Sequence, residues 1–146
     1  ENFCICTQSI GGRTFEDEFF LTNMVDKSVA SAIFKRTISD PVRNFFDKYG
    51  FDLAAWDAHI KELDGRSRKP IKKLIDAYDL RADTSENQTF DYENLIFAEI
   101  FLHYAKDKKG DVALEILTDK TFFNGDGSSK LAVPQYIKEG LAWLVK

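Results

Sequence analysis

The chain has 146 residues, of which 44% are hydrophobic and 30% are charged, and its formal net charge is −4 at pH 7. This length is sufficient for one domain with a real core, so we expect a single helical domain over residues 1–146. The net negative charge argues against general nucleic-acid binding, because affinity for phosphates comes chiefly from Lys and Arg.

Residues 1–13 are predicted as an extended arm, with a short strand near its start. Its two cysteines, Cys4 and Cys6, are the only ones in the chain, which excludes the disulfide framework of a small secreted domain. No second Cys or His pair follows at the spacing of a zinc site, so we expect two buried apolar residues. No signal or transit peptide is visible, which favours a cytoplasmic location.

Helix start and stop signals divide the next part of the chain. Thr14 is predicted to cap a first helix, and Asp26 is predicted to begin a second. Asp40 followed by Pro41 indicates a third start, with Asp40 as N-cap and Pro41 as the first helical residue. Gly50 is then predicted to end this third helix.

A basic segment follows the fourth predicted helix. Asp52 is expected to cap that helix and Gly65 to end it, so residues 66–73 are predicted as a turn leading into a helix at 70–81. Exposed backbone amides and several cations would suit a phosphate or an acidic partner, although the helix dipole disfavours cations in a first turn. The five cations are Arg66, Arg68, Lys69, Lys72 and Lys73.

The strongest helical pattern lies at about residues 91–108. Its apolar residues cover most of the helix circumference, and Glu99 and His103 belong to one narrow polar stripe. A helix of this kind belongs inside a bundle. Asp91 is predicted as its N-cap and Gly110 as the residue that ends it.

The remainder of the chain contains one ambiguous stretch. Residues 111–123 show some alternation of apolar residues, but the composition favours a helix. A turn is predicted at 124–129 and a last helix at 134–145, with Pro134 as its first residue. Together the patterns predict an all-α fold, a compact orthogonal or antiparallel bundle of six to seven short helices around the central helix.

Two histidine pairs are the candidates for metal or acid–base chemistry. His59 and Glu62, and Glu99 and His103, each have the spacing that places two side chains on one helix face. The four side chains could ligate a metal if the two helices faced each other. Neither spacing is a specific metal motif, so we assign no metal site, no catalytic residue and no cofactor.

The sequence contains no phosphate-binding loop, no dinucleotide fingerprint and no nucleophile elbow. We therefore expect a non-enzymatic helical protein–protein interaction module, such as an adaptor, inhibitor or immunity-type protein, that uses residues 66–73 to bind another protein. One alternative is a carrier or sensor of an apolar ligand in a Phe-lined cavity, because the chain has 13 Phe. Another is an enzyme that uses Glu99 and His103 with His59. No transmembrane segment is expected, because no apolar run reaches about 20 residues.

Overall fold

The computed structural model describes residues 14–82 and 92–144, and within these ranges the chain forms eight α-helices and no strand. The all-α prediction is therefore confirmed for the described residues. The predicted arm at 1–13 and the predicted cap at Asp91 lie outside them. The helices are α1 (Phe15–Asn23), α2 (Lys27–Thr37), α3 (Asp40–Tyr49), α4 (Leu53–His59), α5 (Gly65–Ala82), α6 (Tyr92–Ala105), α7 (Lys109–Thr118) and α8 (Gln135–Leu144), with short 3₁₀ turns at Ile60–Glu62 and Lys120–Phe122.

Several predicted helix ends are confirmed by their hydrogen bonds. The Thr14 hydroxyl accepts from the Asp17 amide, and the Asp17 carboxylate accepts from the Thr14 amide at 2.7 Å, which forms a capping box for α1. Asp26 and Asp52 are the N-caps of α2 and α4, and their carboxylates accept hydrogen bonds from backbone amides of the first turn. Gly50 ends α3 with a φ of +56°, a conformation that side-chain-bearing residues rarely adopt.

The start of α3 differs from the prediction by one residue. Ser39 is the N-cap residue, and Asp40 is already the first residue of the helix. The Asp40 carboxylate accepts a hydrogen bond from the Arg43 guanidinium at 2.5 Å. Asp40 therefore forms an ion pair within the first turn, and its predicted role as N-cap is wrong.

The predicted turn at residues 66–73 is also wrong, because α5 begins at Gly65. Asp64 supplies the start signal: its carboxylate accepts from the Ser67 amide at 3.0 Å and from the Ser67 hydroxyl at 2.8 Å. Pro70, the first residue of the predicted helix at 70–81, lies inside α5. Gly65 thus begins a helix where we predicted that it would end one.

The central helix is shorter than predicted, because α6 ends at Ala105. Gly110 lies in the first turn of α7 and does not have a positive φ, so it does not take the left-handed conformation that ends a helix. The reversal between the two helices is made by residues 106–108. The expected helix at 111–123 is confirmed up to Thr118.

The last predicted elements agree closely with the structure. The turn at 124–129 includes Gly127, which has a φ of +82°. Helix α8 begins at Gln135, one residue after Pro134, so the predicted helix start is shifted by a single position. Differences of one residue at helix ends are common, since terminal turns vary.

The central position of α6 is confirmed by its packing. This helix contacts α1, α5 and α2. Phe97 is fully buried, and its ring lies edge-on to Trp56, with 5.3 Å between the centroids. No helix among the described residues has the length and apolar character needed to cross a bilayer. The buried residues of α6 are Ile96, Phe97, Ala98, Ile100, Phe101 and Ala105.

Candidate partner-binding surface

The five cations of residues 66–73 lie in the first turns of α5, and this basic segment projects from a helix, not from a turn. The Asp64 carboxylate accepts hydrogen bonds from the amides of Arg66 and Ser67, at 2.9 and 3.0 Å. Two of the first amides of the helix are therefore occupied by a side chain of the same chain. The expectation that exposed amides would bind a phosphate here is not supported, and any attraction for an anion comes from the side chains.

Lys72 differs from the other cations of the basic segment, because it is neutralised within the fold. Its ammonium donates to Asp57 at 2.9 Å and pairs with Asp76 at 2.7 Å. These hydrogen bonds raise the pKa of Lys72. Asp57 belongs to α4 and Asp76 to α5, so Lys72 links the two helices. It is the member of the segment with the clearest structural role.

The other four cations have no ion pair within 4.0 Å among residues 14–82 and 92–144. These residues are Arg66, Arg68, Lys69 and Lys73. Arg68, Lys69 and Lys73 line an open surface depression of about 670 Å³. The other residues that line it are Gly65, Lys72, Asp76 and Ala77. We call this the basic depression. Its positive charge is only partly balanced, since Asp76 is the one carboxylate in its lining.

A second open depression, of about 750 Å³, contains the polar stripe of α6. Glu99 and His103 line it, as predicted from their shared helix face, together with Lys73, Lys106 and Lys109. Burial lowers the pKa of His103, and Lys106 lowers it further. The imidazole is therefore neutral at physiological pH, and Lys73 and Lys106 supply the positive charge, since Lys109 is paired with Glu16. We call this the Glu99–His103 depression.

An apolar groove lies between α1, α6 and α7 and has a volume of about 200 Å³. It is open to solvent, whereas an enclosed Phe-lined cavity would favour the alternative function of a carrier. Phe15 at its edge is 51% exposed and Leu117 is 66% exposed, which is high for apolar side chains of this size. Lys109 and Glu16 form an ion pair of 2.8 Å at the rim. The apolar lining consists of Phe15, Phe19, Phe101, Ala105, Val112, Ala113, Ile116, Leu117 and Leu131.

The Glu16–Lys109 ion pair fixes the charge at this rim. Burial opposes ionisation of Glu16, but the hydrogen bond from Lys109 and those from neighbouring groups outweigh it, so the pKa of Glu16 is lowered. The pair joins the first turn of α1 to the first residue of α7. The two helices that form the walls of the apolar groove are therefore held together at one end.

Most of the Phe content of the described chain is explained by the core. Phe20 stacks on Phe101 with 4.8 Å between centroids, and Phe34 lies 4.9 Å from Phe46. Phe122, also buried, lies under the Arg36 guanidinium at 4.9 Å. Among the three depressions above, only the apolar groove is lined by Phe side chains of the described residues.

The first histidine pair forms a surface cluster between α3 and α4. Glu62 accepts from the Tyr49 hydroxyl at 2.7 Å and from the Lys48 ammonium at 2.9 Å, and these two contacts lower the pKa of Glu62. His59 stacks on Tyr49, with 4.7 Å between the ring centroids, and its Nδ1 lies 3.2 Å from Glu62. Every member of the cluster has a partner that ties the two helices together.

The two histidine pairs do not form one site. Across residues 14–82 and 92–144, no three His, Cys, Asp or Glu side chains are grouped so that they could hold a metal ion. The Glu99–His103 depression contains neither His59 nor Glu62. The arrangement in which the two helices face each other, on which the metal hypothesis depended, is therefore absent from the described residues.

The apolar groove is the feature that the sequence did not reveal. On α7, Val112 and Ile116 are buried, while Leu114 and Leu117 remain exposed on other faces. The signal was present as apolar residues on more than one face of a short helix. Which of these faces is covered depends on residues of α1 and α6 that line the groove together with α7, and α1 lies far from α7 in the sequence.

The sequence matches no known protein family, no curated protein and no solved structure. The function is therefore argued from the charges and contacts of the surface. On that basis the candidate surface consists of the basic depression, the Glu99–His103 depression and the apolar groove.

Proposed function

We propose that the chain is a non-enzymatic helical interaction module and that the first turns of α5 bind an acidic partner protein. The observation that carries this proposal is the group of cations in the basic segment, Arg66, Arg68, Lys69 and Lys73, which have no ion pair with a described residue. They occur in a chain whose net charge is −4.

This arrangement opposes the stability of the helix that carries it. A cation in the first turn of a helix costs about 0.3–1 kcal/mol through the helix dipole, and α5 has Arg66 and Arg68 there with no acidic residue inside that turn. Only the Asp64 cap, which precedes the helix, offsets this cost. A local arrangement that disfavours folding and has no structural benefit is a pointer to function.

Charges of this kind act mainly on association. A positive patch attracts a negatively charged partner during diffusional encounter, and removal of charges at the edge of an interface slows association and weakens its dependence on salt. Arg68, Lys69 and Lys73 line the basic depression and have no ion pair with a described residue, so they are the residues to change.

The test compares two triple variants with the same change in net charge. The first converts Arg68, Lys69 and Lys73 to Ser, and the control converts Lys61, Lys120 and Lys138 to Ser, which are exposed cations on other parts of the surface. Proteins retained by the immobilised chain from native lysate are quantified for wild type and both variants. The captured partner is then purified and its affinity is measured at several salt concentrations.

The proposal predicts a partner that binds wild type and control equally and binds the first variant at least about tenfold more weakly, a difference of about 1.4 kcal/mol. The control should unfold within about 2 °C of wild type, since surface substitutions change stability by about 0.5 kcal/mol or less. The first variant should unfold within about 5 °C, because the removal of Arg68 also removes an unfavourable interaction with the dipole of α5. Equal binding to all three proteins, or the capture of no partner, would refute the proposal.

A carrier of an apolar small ligand is the second candidate, because the apolar groove lies beside the central helix. We rank it second because small-molecule pockets usually measure about 300–1,000 Å³. The groove measures about 200 Å³ and is open. Calorimetric titration with decanoate tests this function: saturable binding that Ala113→Glu abolishes would support it, and the absence of heat would exclude this ligand class.

A further inference from the structure

We infer that the partner presents an amphipathic acidic peptide segment, whose carboxylates lie along Lys69 and Lys73 of α5 and whose apolar anchor enters the apolar groove. This inference rests on the proposed function and deepens it, because it defines the chemistry of the partner and extends the binding surface from α5 to α1 and α7.

The three depressions form one continuous surface. Lys73 and Ala77 line both the basic depression and the Glu99–His103 depression. Lys109 lines both the Glu99–His103 depression and the apolar groove. A single extended segment can therefore contact cations along most of its length and reach an apolar site at one end.

The size of the apolar groove favours a peptide anchor over a whole small-molecule ligand. Its volume of about 200 Å³ is below the range of pockets that enclose whole ligands, about 300–1,000 Å³, but it is suited to one or two anchor side chains. Apolar anchors in pockets supply most of the affinity of many interfaces. Phe15 and Leu117, which are half or more exposed, would be covered by the peptide backbone at the groove edge.

The pattern of charge favours a peptide over a nucleic acid. Asp76 lies among the cations of the basic depression, and Glu99 lies among those of its neighbour. A phosphate backbone carries negative charge at every nucleotide, but Lys72 is already paired with Asp57 and Asp76, so the row of cations available to a phosphate backbone is interrupted. A peptide can place carboxylates opposite Lys69 and Lys73, one helical turn apart on α5, and neutral residues opposite the two acidic side chains.

The probe is a displayed library of random 12-residue peptides, selected on the immobilised full chain. Peptides enriched by wild type are synthesised, and their affinities are measured by fluorescence anisotropy. The groove variant is Leu117→Ser, and its matched control is Leu114→Ser, because Leu114 is 63% exposed on the same helix but does not line the groove. Ala113→Glu, a second groove variant, adds a carboxylate at an exposed lining position.

We expect enriched peptides to combine at least two Asp or Glu with a Leu, Phe, Trp or Met. Leu117→Ser and Ala113→Glu should each weaken their binding at least about tenfold, while Leu114→Ser should leave it unchanged. The triple variant at Arg68, Lys69 and Lys73 should weaken it by a similar factor. Circular dichroism of each variant verifies that the fold is retained.

Other outcomes separate this inference from the proposed function. Acidic peptides without an apolar anchor, or equal binding by the groove variants, would overturn the inference and leave the proposed function standing. No enriched peptide, or equal binding by the triple variant, would count against both. Tighter binding of a charge-matched single-stranded oligonucleotide would overturn the inference in favour of a nucleic acid.

Discussion

Phe97→Ala is the sharpest test of the core that holds the candidate surface in place. Phe97 is 0% exposed and lies in the middle of α6. Its ring is edge-on to three others: Phe51 at 5.1 Å, Trp56 at 5.3 Å and Phe34 at 6.1 Å between centroids. Truncation would remove a large side chain from the contact of α6 with α2 and α4 and would leave a cavity between packed rings.

The expected cost follows from burial and from these ring contacts. A buried Phe→Ala substitution costs about 3–5 kcal/mol, and each favourable ring pair contributes about 0.5–1.5 kcal/mol beyond its buried area, so we expect about 4–5 kcal/mol. The free energy of unfolding of a whole domain is typically about 5–15 kcal/mol, so this loss is a large fraction of it. The melting temperature should fall by about 8–20 °C.

Urea unfolding followed by far-ultraviolet circular dichroism measures the change in the free energy of unfolding. The dependence on urea should remain that of wild type, because the same surface is exposed on unfolding. Leu114→Ala is the control, since Leu114 is 63% exposed, and it should change stability by about 0.5 kcal/mol or less. A loss below about 1 kcal/mol for Phe97→Ala would refute the placement of α6 at the centre of the core.

Two further predictions concern backbone conformation and pH. Gly50→Ala should lower the free energy of unfolding by about 1–3 kcal/mol, because the φ of +56° is strained for alanine. Gly110→Ala should raise the free energy of unfolding by about 0.4–1 kcal/mol, because Gly110 is helical and the added Cβ would meet nothing within 4 Å. Urea unfolding of both variants tests whether the two changes have opposite signs. Hydrogen bonds from the Ser67 amide and hydroxyl lower the pKa of Asp64 below its ordinary value of 3.8. A lowered pKa in the folded state stabilises the fold above pH 3.8, and this contribution is lost as the pH falls. The stability difference between wild type and Asp64→Asn should therefore shrink in acid, and a constant difference would contradict the role of the Asp64 charge.

Local signals were sufficient for the fold class, because each acts within a few residues. Thr14, Asp26 and Asp52 each have a side chain that accepts hydrogen bonds from amides two or three residues later. Such contacts require no knowledge of the tertiary structure. The apolar circumference of α6 likewise predicted its central position, since such a surface is stable only when covered on all sides.

The two wrong helix ends have a common cause. Gly65 and Gly110 were both assigned as helix ends, yet each lies in the first turn of the next helix. Glycine marks a helix end only where the backbone takes a positive φ, as at Gly50. At Gly65 the decisive residue is Asp64, whose carboxylate caps α5.

The candidate surface could be predicted only in part, because charge is visible in a sequence but neutralisation is not. The five cations of the basic segment look alike along the chain, and the structure distinguishes Lys72 through Asp57, which lies 15 residues earlier. The adjacency of Lys109 to the polar stripe of α6 depends on the reversal at residues 106–108, which the assignment of Gly110 misplaced. The apolar groove forms only where Phe15 of α1 and residues of α7 lie beside α6. A site built from three helices in this way has no contiguous motif, so it becomes recognisable only when the packing of those helices is known.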